Sequence, residues 1–534
     1  MRLALIANAF KRLGVQGFGK SVCQQRSPYD GSRAVFPLFL KTFSSAEEGS
    51  VENTGEPVTE SRIEKLPKGL FWKVFDRTKE PTKSALDKWL NDGKKLKERD
   101  LQSLVRGFRN SHNYKKALEV SQWMQNHPKF VFTPGDYCIM LDLIERVYGI
   151  DRAEKCFQDL PEISKNEITY CALLDCYAKA GLTEKAEHWM EKMQELGFTT
   201  TVRPYNTLMK CYLVSDQMEK ILSTIKHLKK IDVQLNSFSY RLWINACASM
   251  SKIDDAEKIV DEIKSTNDSV DWTVYTAVGD MYIKSGLPDK AKSALKEAEK
   301  KIGKGDRRAY DYLITMNASL DDKEEVYRLW NILKTSFDKL YNTDYISVLS
   351  SLAKSGDIEG VEKIFKEWET SCSSYDFRVS NILLAAYVRG GMLEKAESFH
   401  SRIAKERGEP ICKTWEILAQ GYLNSKQMDK AVTTMLNALR RVRSSGWKPR
   451  SENVIGILKY LEEQGNVEIA DEVLKLLRDI PYVTTEIYNL LLSTHAKAGK
   501  DADEIFEQMV IDKVSTDKET DRLRKVINDN KPSG

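Results

Sequence analysis

Apolar side chains recur at three- and four-residue spacing along most of the chain, which is the pattern of amphipathic helices. Residues 167–201 contain two such apolar stripes, separated by Gly181. The stripes consist of Tyr170, Leu173, Leu174 and Tyr177, and of Ala186, Trp189, Met190 and Met193. Glycine readily takes the left-handed conformation that ends a helix, and a small alanine lets two helices cross closely. The pattern therefore predicts two helices joined by a tight turn, a helical hairpin.

The hairpin pattern repeats with a fixed period of 35 residues. A tyrosine recurs through five intervals without a slip, and a small or β-branched residue follows it sixteen residues later. The two columns are Tyr170, Tyr205, Tyr240, Tyr275, Tyr310 and Tyr345, and Ala186, Ile221, Ala256, Ala291, Val326 and Val361. Such a unit buries its apolar face by stacking on its neighbours. The sequence predicts an all-α fold, a right-handed α-solenoid superhelix of about twelve 35-residue hairpin repeats.

The same pattern sets the expected domain boundaries. The solenoid is predicted over residues 98–517, after N-terminal capping helices in residues 61–97. Residues 518–534 form a polar C-terminal tail that we expect to fray. The expected units are 98–133, 134–166, 167–201, 202–236, 237–271, 272–306, 307–341, 342–376, 377–411, 412–446, 451–484 and 485–517.

The N-terminal segment differs from the rest in charge. Residues 1–43 carry seven basic groups against one acid, Asp30, so they account for +6 of the net charge of +4 and leave the remainder at −2. An acid-poor, amphipathic start is typical of organelle transit peptides. The run from Lys41 to Ser45 resembles a plant mitochondrial cleavage site, with lysine where arginine is usual. We predict a mitochondrial transit peptide, with a chloroplast transit peptide or a basic arm as alternatives, and an acidic linker over residues 44–60.

The repeat residues resemble those of the pentatricopeptide repeat (PPR) family, in its P class of plant organelles. The segments from Ile168 to Asp175 and from Tyr205 to Met209 resemble the opening of that repeat. A tetratricopeptide repeat usually has a small residue where this chain has Leu174 and Met209. The resemblance covers roughly residues 98–517 and implies binding of single-stranded organellar RNA. From the missing metal-binding and phosphate-binding motifs we expect no cofactor and no metal.

The resemblance also implies which residues read bases. In this family one base is read per repeat, mainly by the residue after the tyrosine column and by the last residue of the unit. Carried onto this chain, these first and second reading places are Cys138/Asn166, Cys171/Thr201, Asn206/Asn236, Arg241/Asp271, Thr276/Asp306, Asp311/Tyr341, Ile346/Asp376, Asn381/Ile411, Glu416/Gly446, Ile455/Thr484 and Asn489/Asp517. Thr276/Asp306 resembles a guanine reader and Asn206/Asn236 a pyrimidine reader. Asn489/Asp517 would suggest uracil, but we discount it because its unit lacks two residues.

Most of the other pairs depart from the family's code. Ile346 and Ile455 offer no hydrogen bond, and Glu416 would repel phosphate. These places would then line a concave protein-binding surface. The base-reading candidates that we retain are Asn206, Asn236, Arg241, Asp271, Thr276, Asp306, Asn381 and Asn489.

A column of cations follows eight residues after the first reading place, at the end of each first helix. Its members are Arg146, Lys179, Lys284, Lys354, Arg389 and Lys497. One cation per repeat along one edge would form a track for RNA phosphates. Cations also suit the negative end of a helix dipole, which explains the column equally well. A further basic cluster, Arg440, Arg441, Arg443, Lys448 and Arg450, falls in an irregular stretch between units.

The remaining residues predict no catalysis and no membrane span. The six histidines are scattered, and the chain lacks the HxE and CxxC spacing of a zinc deaminase. No apolar run approaches the roughly 18 residues of a transmembrane helix. We expect a non-enzyme whose partner is single-stranded organellar RNA, acting in RNA stabilisation, processing or translation. The alternative is a scaffold solenoid, such as a mitochondrial ribosome subunit or a partner of other RNA-processing proteins; the oligomeric state stays open.

Overall fold

The computed structural model describes residues 81–266, 270–442, 447–480 and 482–529. The expected transit peptide, the acidic linker and residues 61–80 of the capping segment lie outside the described residues. In the described ranges, every regular element is helical, and none of the helices is long and apolar enough to cross a membrane.

The chain divides into two compact units, Met1–Asn267 and Asp268–Gly534. The described helices of unit 1 are α1 (Thr82–Asn91), α2 (Glu98–Asn110), α3 (Tyr114–Asn126), α4 (Pro134–Tyr148), α5 (Ile150–Gln158), α6 (Glu167–Ala180), α7 (Thr183–Glu195), α8 (Val202–Val214), α9 (Met218–Lys230), α10 (Ser237–Ser249) and α11 (Ile253–Thr266). A 3₁₀ turn, Glu162–Ser164, precedes α6.

Unit 2 continues the same alternation of helices. Its described helices are α12 (Trp272–Lys284), α13 (Pro288–Lys300), α14 (Arg307–Ser319), α15 (Lys323–Ser336), α16 (Asn342–Lys354), α17 (Ile358–Ser371), α18 (Phe377–Arg389), α19 (Leu393–Arg407), α20 (Cys412–Asn424), α21 (Met428–Arg440), α22 (Ser451–Gln464), α23 (Val467–Arg478), α24 (Thr485–Ala498), α25 (Asp503–Ile511) and α26 (Lys518–Asp529).

From α2 onward the helices form successive hairpins. In unit 1 the first helix α6 packs against its own second helix α7 and against the neighbouring first helices α4 and α8. In unit 2 the first helix α18 packs in the same way against α19, α16 and α20. The predicted all-α hairpin repeat is therefore present in both units.

The two sequence columns lie in the core, as the periodicity predicts. All six members of the small column are at most 1% exposed, because they sit where helices approach closely. Five of the six tyrosines are also buried, and Tyr310 is half-buried.

The start of α6 is fixed by Asn166, whose side-chain oxygen accepts hydrogen bonds from the backbone N–H groups of Ile168 and Thr169 at 3.1 and 3.2 Å.

The turn inside the hairpin is left-handed even where glycine is absent. Gly181 has φ +66° and makes the expected helix end. At the same place in other repeats stand Asp216, Ser251, Asp321 and Lys426, all with φ between +54° and +58°. The stacked helices therefore impose this turn on residues that resist it by about 1–2 kcal/mol.

A second tyrosine column ties successive repeats together through second-helix carboxylates. The Tyr212 hydroxyl donates to Glu187 at 2.8 Å, and Lys220 pairs with the same carboxylate at 2.7 Å. In unit 2, Tyr387 and Lys395 meet Glu362 at 2.9 and 3.1 Å. Tyr422 and Lys430 repeat the arrangement on Glu397. Each of these acids therefore accepts two donors from the following hairpin.

Residues 518–529 differ from the expected fraying tail. They form the helix α26, which packs against α24 and buries Thr520, Leu523 and Ile527. The composition is polar because only one stripe of a terminal helix is covered, and the spacing of three and four residues marks that stripe. The helix α26 thus stands where the first helix of a further repeat would stand.

Candidate nucleic-acid interface

The pair Asn206/Asn236 is brought together directly. The Asn206 amide Nδ2 donates to Asn236 Oδ1 at 3.1 Å, and the Ser239 hydroxyl donates to Asn206 Oδ1 at 2.8 Å. Asn236 Oδ1 also accepts from the Ser239 backbone N–H at 3.0 Å, as the N-cap of α10. These three residues, which we call the Asn206 triad, join the second turn of α8 to the first turn of α10.

Asn489 and Asp517, which the sequence interpretation discounts, form the same arrangement. Asn489 Nδ2 donates to Asp517 Oδ1 at 3.0 Å, and the Thr520 hydroxyl donates to Asn489 Oδ1 at 2.7 Å. The two-residue deficit of this unit falls on α25, which spans nine residues, while α24 still packs against α26, so the side chains of the pair meet. This Asn489 triad depends on the terminal helix that the sequence interpretation treats as a tail.

The retained pair Thr276/Asp306 does not show this contact. The Thr276 hydroxyl donates to the Thr273 carbonyl oxygen at 2.9 Å, and Asp306 Oδ2 accepts from the Gly303 backbone N–H at 3.3 Å. Arg241 belongs to unit 1, where it is buried with its guanidinium 5.4 Å from the Phe238 ring centroid. Asp271 belongs to unit 2, where it caps the start of α12.

Asn381 is paired with Ile411 at the second reading place, and Ile411 has no polar side chain. Its side-chain oxygen is buried without a hydrogen-bond partner, although Asn381 itself is only 7% exposed. The hydroxyl of Thr414, which corresponds in sequence to Ser239 and Thr520, is likewise unpaired. The site around Asn381 therefore contains the same residue types without the hydrogen bonds that link them.

Glu416 has a structural role that differs from the expected repulsion of phosphate. Its carboxylate is fully buried, accepting from Lys413 Nζ at 2.6 Å and from the Arg450 backbone N–H at 2.6 Å. The Trp447 indole N–H donates to the same group at 3.4 Å. Because three donors surround it, this carboxylate anchors the irregular stretch before α22. Its partner in the pair, Gly446, lies outside the described residues.

Asp311 occupies a first reading place in an acidic environment. Burial and the neighbouring carboxylate of Asp344 raise the pKa of Asp311 to about 8, against the opposing effect of Arg307 and Arg308. One oxygen of Asp311 has no hydrogen-bond partner. Arg307 pairs instead with Asp344 and lies 4.3 and 4.5 Å from the ring centroids of Phe337 and Tyr341. The carboxyl group at this reading place is therefore mostly neutral at pH 7.

The cation column in unit 1 is engaged in a network of ion pairs. Asp142 pairs with Lys179 at 2.7 Å and with Arg109 and Arg146 at 3.0 Å each. Lys179 also pairs with Asp175, which in turn pairs with a buried cation of the next repeat at 2.9 Å. Burial alone raises the pKa of Asp142, but Lys179 and the two arginines together hold that pKa below its usual range. Arg146 and Lys179 therefore neutralise buried carboxylates first.

The cation column in unit 2 is less uniform. Lys284 pairs with Asp280 at 2.6 Å, and Lys497 pairs with Glu462 at 2.9 Å. Lys354 instead donates to the Ser319 hydroxyl at 3.0 Å. Arg389 donates to the carbonyl oxygen of its own helix at Ala385. Among the residues that the structure describes, neither Lys354 nor Arg389 has a carboxylate partner.

Arg389 also lies near a second cation. Burial, and then the positive charge of Arg450, lower the pKa of the Arg389 guanidinium. Arg440 and Arg441 of the same basic cluster are paired with Glu472 and Glu409 at 2.7 and 2.6 Å. Arg450 is exposed and has no carboxylate partner in the described chain, whereas Arg443 lies outside it. Arg389 and Arg450 thus place two positive charges without carboxylate partners near each other.

One sequence signal separates the two kinds of cation. Four residues before Arg146, Lys179 and Lys284 stands an aspartate, and that spacing places both side chains on one face of a helix. Before Lys354 and Arg389 the same place holds Ser350 and Ala385. The column is therefore not uniform, and this spacing distinguishes all its members except Lys497, which follows Ser493 and pairs with Glu462 of the preceding repeat.

In the described residues, no group of histidine, cysteine or acidic side chains has the arrangement of a metal site. Stacked helical hairpins with polar side chains shared between neighbouring repeats define a helical-repeat protein. The profile described as PPR repeat matches residues 168–198, 203–233, 238–267, 273–301, 344–372 and 379–407. The chain belongs to the pentatricopeptide repeat family, as the similarity to full-length relatives shows.

Three Arabidopsis thaliana proteins illustrate that similarity. Pentatricopeptide repeat-containing protein At5g27460 is 36% identical over 436 residues, covering 81% of this chain and 89% of the relative. The mitochondrial protein At4g21705 of the same family is 33% identical, covering 82% and 89%. Large ribosomal subunit protein mL101 (rPPR4) is 33% identical, covering 84% and 91%.

Among solved structures, the pentatricopeptide repeat protein PPR10 from maize aligns over 86% of this chain and 70% of its own, with 16% identity and a TM-score of 0.43. The family assignment rests on the Arabidopsis relatives. It confirms the family resemblance and the expectation that the chain is not an enzyme.

Proposed function

We propose that this chain is a mitochondrial single-stranded RNA-binding protein. It lies along a stretch of organellar transcript and acts by occlusion, stabilising the RNA, assisting its processing or promoting its translation. The mechanism requires no bond chemistry by the protein, because covering a strand is sufficient to exclude nucleases and competing base pairing.

The observation that carries this proposal is the pair of triads around Asn206 and Asn489. Each presents an amide at the first reading place and fixes it by hydrogen bonds to the last residue of the unit and to the next repeat. An amide held in this way still offers one N–H and one carbonyl lone pair, the groups that recognise a base edge. The same geometry occurs once in each unit, at equivalent places of two different repeats.

Phosphate contacts are assigned to the cations without carboxylate partners. Lys354, Arg389 and Arg450 carry charge that the described part of the chain does not neutralise, whereas Arg146 and Lys179 are engaged in ion pairs. Electrostatic attraction to the RNA backbone depends on such uncompensated charge. Lys284 and Lys497 contribute less in this proposal, because an acid accompanies each of them.

The mitochondrial assignment is supported by relatives and by the N-terminal sequence. Several of the Arabidopsis relatives carry the word mitochondrial in their names. Residues 1–43 of this chain are basic and almost free of acids, as organelle transit peptides are.

A second candidate function is a subunit of the mitochondrial ribosome. It is favoured by the similarity to the large ribosomal subunit protein mL101, which covers most of both chains. It is also favoured by reading places such as Glu416 and Ile346, which offer no free hydrogen-bonding group to a base. In that function the chain would bind ribosomal RNA and protein together.

Crosslinking of the tagged protein in isolated mitochondria, followed by sequencing of the bound RNA, separates these candidates. A narrow footprint on one or a few messenger transcripts is the expected result and supports occlusion. Reads confined to ribosomal RNA, with co-sedimentation with a ribosomal subunit, would establish the second candidate. The absence of any crosslinked RNA would contradict both.

A further inference from the structure

At two places, the residue just before the tyrosine column carries a hydroxyl group that hydrogen-bonds the first reading place of the preceding repeat. Ser239 and Thr520 are both fully buried, and each hydroxyl donates to the amide oxygen of an asparagine about thirty residues earlier. Neither residue belongs to the two reading places that the family resemblance names.

The hydrogen bonds fix which way the asparagine amide faces. A backbone N–H is a donor, so the Asn236 atom that accepts from the Ser239 backbone must be oxygen. The Asn206 atom that contacts this oxygen is then the amide nitrogen, and the Asn206 oxygen faces the Ser239 hydroxyl. The positions of the amide nitrogen and the amide oxygen of Asn206 are therefore fixed, starting from the backbone N–H of Ser239.

The second triad gives the same orientation independently. Asp517 accepts from the Thr520 backbone N–H at 2.9 Å, and this bond, with that from Asn489, lowers the pKa of Asp517. An ionised carboxylate only accepts, so the Asn489 atom that contacts it is again the amide nitrogen.

We propose that Ser239 and Thr520 are specificity-determining positioning residues, which hold the amides of Asn206 and Asn489 in one orientation toward an RNA base. This inference rests on the proposed RNA-binding function. Loss of the hydroxyl leaves a buried amide oxygen unpaired, as at Asn381, and that oxygen then turns toward water or a wrong base edge.

The chain supplies its own control residue. Thr169 occupies the same column and is equally buried, but its hydroxyl donates to the Ser164 carbonyl oxygen at 2.7 Å. The preceding repeat has Cys138 in its first reading place, and the Cys138 thiol contacts the Ile168 carbonyl oxygen instead. Thr169→Val therefore removes a similar buried hydroxyl without removing support from a reading amide.

The test is selection from a randomised single-stranded RNA library by the full chain and its variants, followed by sequencing. We expect Ser239→Ala to lower the base preference at one nucleotide roughly fivefold and to leave the other nucleotides unchanged. Thr520→Val should do the same at a nucleotide about eight positions away, because one base is read per repeat. Ser239→Thr should retain the preference, and Thr169→Val should leave it unaltered.

Unchanged preference in Ser239→Ala and Thr520→Val, with wild-type enrichment of a motif, would overturn the inference and leave the proposed function standing. Failure of the wild-type chain to enrich any RNA would remove the proposed function, and the inference with it. Circular dichroism verifies folding of each variant. Thr520→Val, which preserves side-chain shape, provides the test if Ser239→Ala does not fold.

Discussion

Two members of the cation column in unit 2 differ from the members of the column in unit 1. In unit 1, Arg146 and Lys179 surround the buried carboxylates of Asp142 and Asp175. In unit 2, Lys354 and Arg389 have no carboxylate partner in the described chain. A repeated position does not imply a repeated function, because the acids that surround the cation, often the residue one helical turn earlier, differ between repeats.

The same contrast extends to the acids of the two units. Asp142 has three cationic neighbours, which lower its pKa below the usual range despite burial. Asp311 is partly buried beside Asp344, and its pKa is raised to about 8. The first helices of unit 1 therefore hold charged pairs, whereas α14 of unit 2 holds a carboxyl group whose pKa is raised.

The largest expected effect comes from removing the cation at the centre of the unit 1 network. Lys179→Met leaves Asp142 and Asp175 short of compensating charge, and we expect a loss of about 3 kcal/mol in the free energy of unfolding. Lys354→Met is the control and should cost well under about 1 kcal/mol. Urea unfolding of the two variants measures both values. Equal losses of unfolding free energy in the two variants would contradict the distinction between Lys179, which is in an ion-pair network, and Lys354, which has no carboxylate partner in the described chain.

A smaller effect of opposite sign is expected at Asp311. Its carboxyl group ionises near pH 3.8 when unfolded and near pH 8 when folded, so folding stability falls as pH rises between these values. Asp311→Asn removes this loss and should stabilise the protein by about 1–2 kcal/mol at pH 8. Urea unfolding midpoints at pH 5 and pH 8 test this.

Asp142→Asn provides the counterpart to that experiment. The pKa of Asp142 is lower in the folded state, so its contribution is present above about pH 4 and disappears in acid. The variant should therefore be destabilised at neutral pH and approach the wild type in acid. A stability shift of the same sign in Asp142→Asn and Asp311→Asn at neutral pH would contradict the assigned environments.

The smallest expected effect concerns RNA affinity. Lys354→Ala combined with Arg389→Ala should weaken RNA binding roughly tenfold. The slope of the logarithm of the binding constant against the logarithm of the salt concentration should become shallower by about 0.7 for each lost phosphate contact. Lys395→Ala with Lys430→Ala is the matched control, because it removes equal charge from cations that pair with Glu362 and Glu397. Fluorescence anisotropy across a salt series gives both quantities. Equal weakening by the two double variants would contradict the phosphate assignment.

Much of this fold follows from periodicity alone. The 35-residue spacing of Tyr170 and its successors gave the hairpins, because burial of one helical face requires a regular pattern. The identity of the terminal helix was missed, since Leu523 and Ile527 are few apolar residues in a polar segment. Its packing partner α24 determines its stability, and a local composition does not reveal such a partner.

Less of the candidate site than of the fold could be predicted from the sequence. The family resemblance identified Asn206 and Asn489, but the burial of Glu416 depends on a loop that contains an insertion. The role of Ser239 depends on contact between residues of different repeats. By contrast, the aspartates before Arg146 and Lys179 were visible as a four-residue spacing.

The triads also define how these repeats can be recombined. Two members of each triad belong to one sequence repeat, and the third, Ser239 or Thr520, belongs to the next. A chimaera joined at the end of a 35-residue repeat would separate an asparagine from its hydroxyl partner. A junction placed after that hydroxyl residue, three residues into the following helix, would transplant the complete hydrogen-bonded set. The natural module for protein engineering is therefore offset from the repeat that the sequence displays.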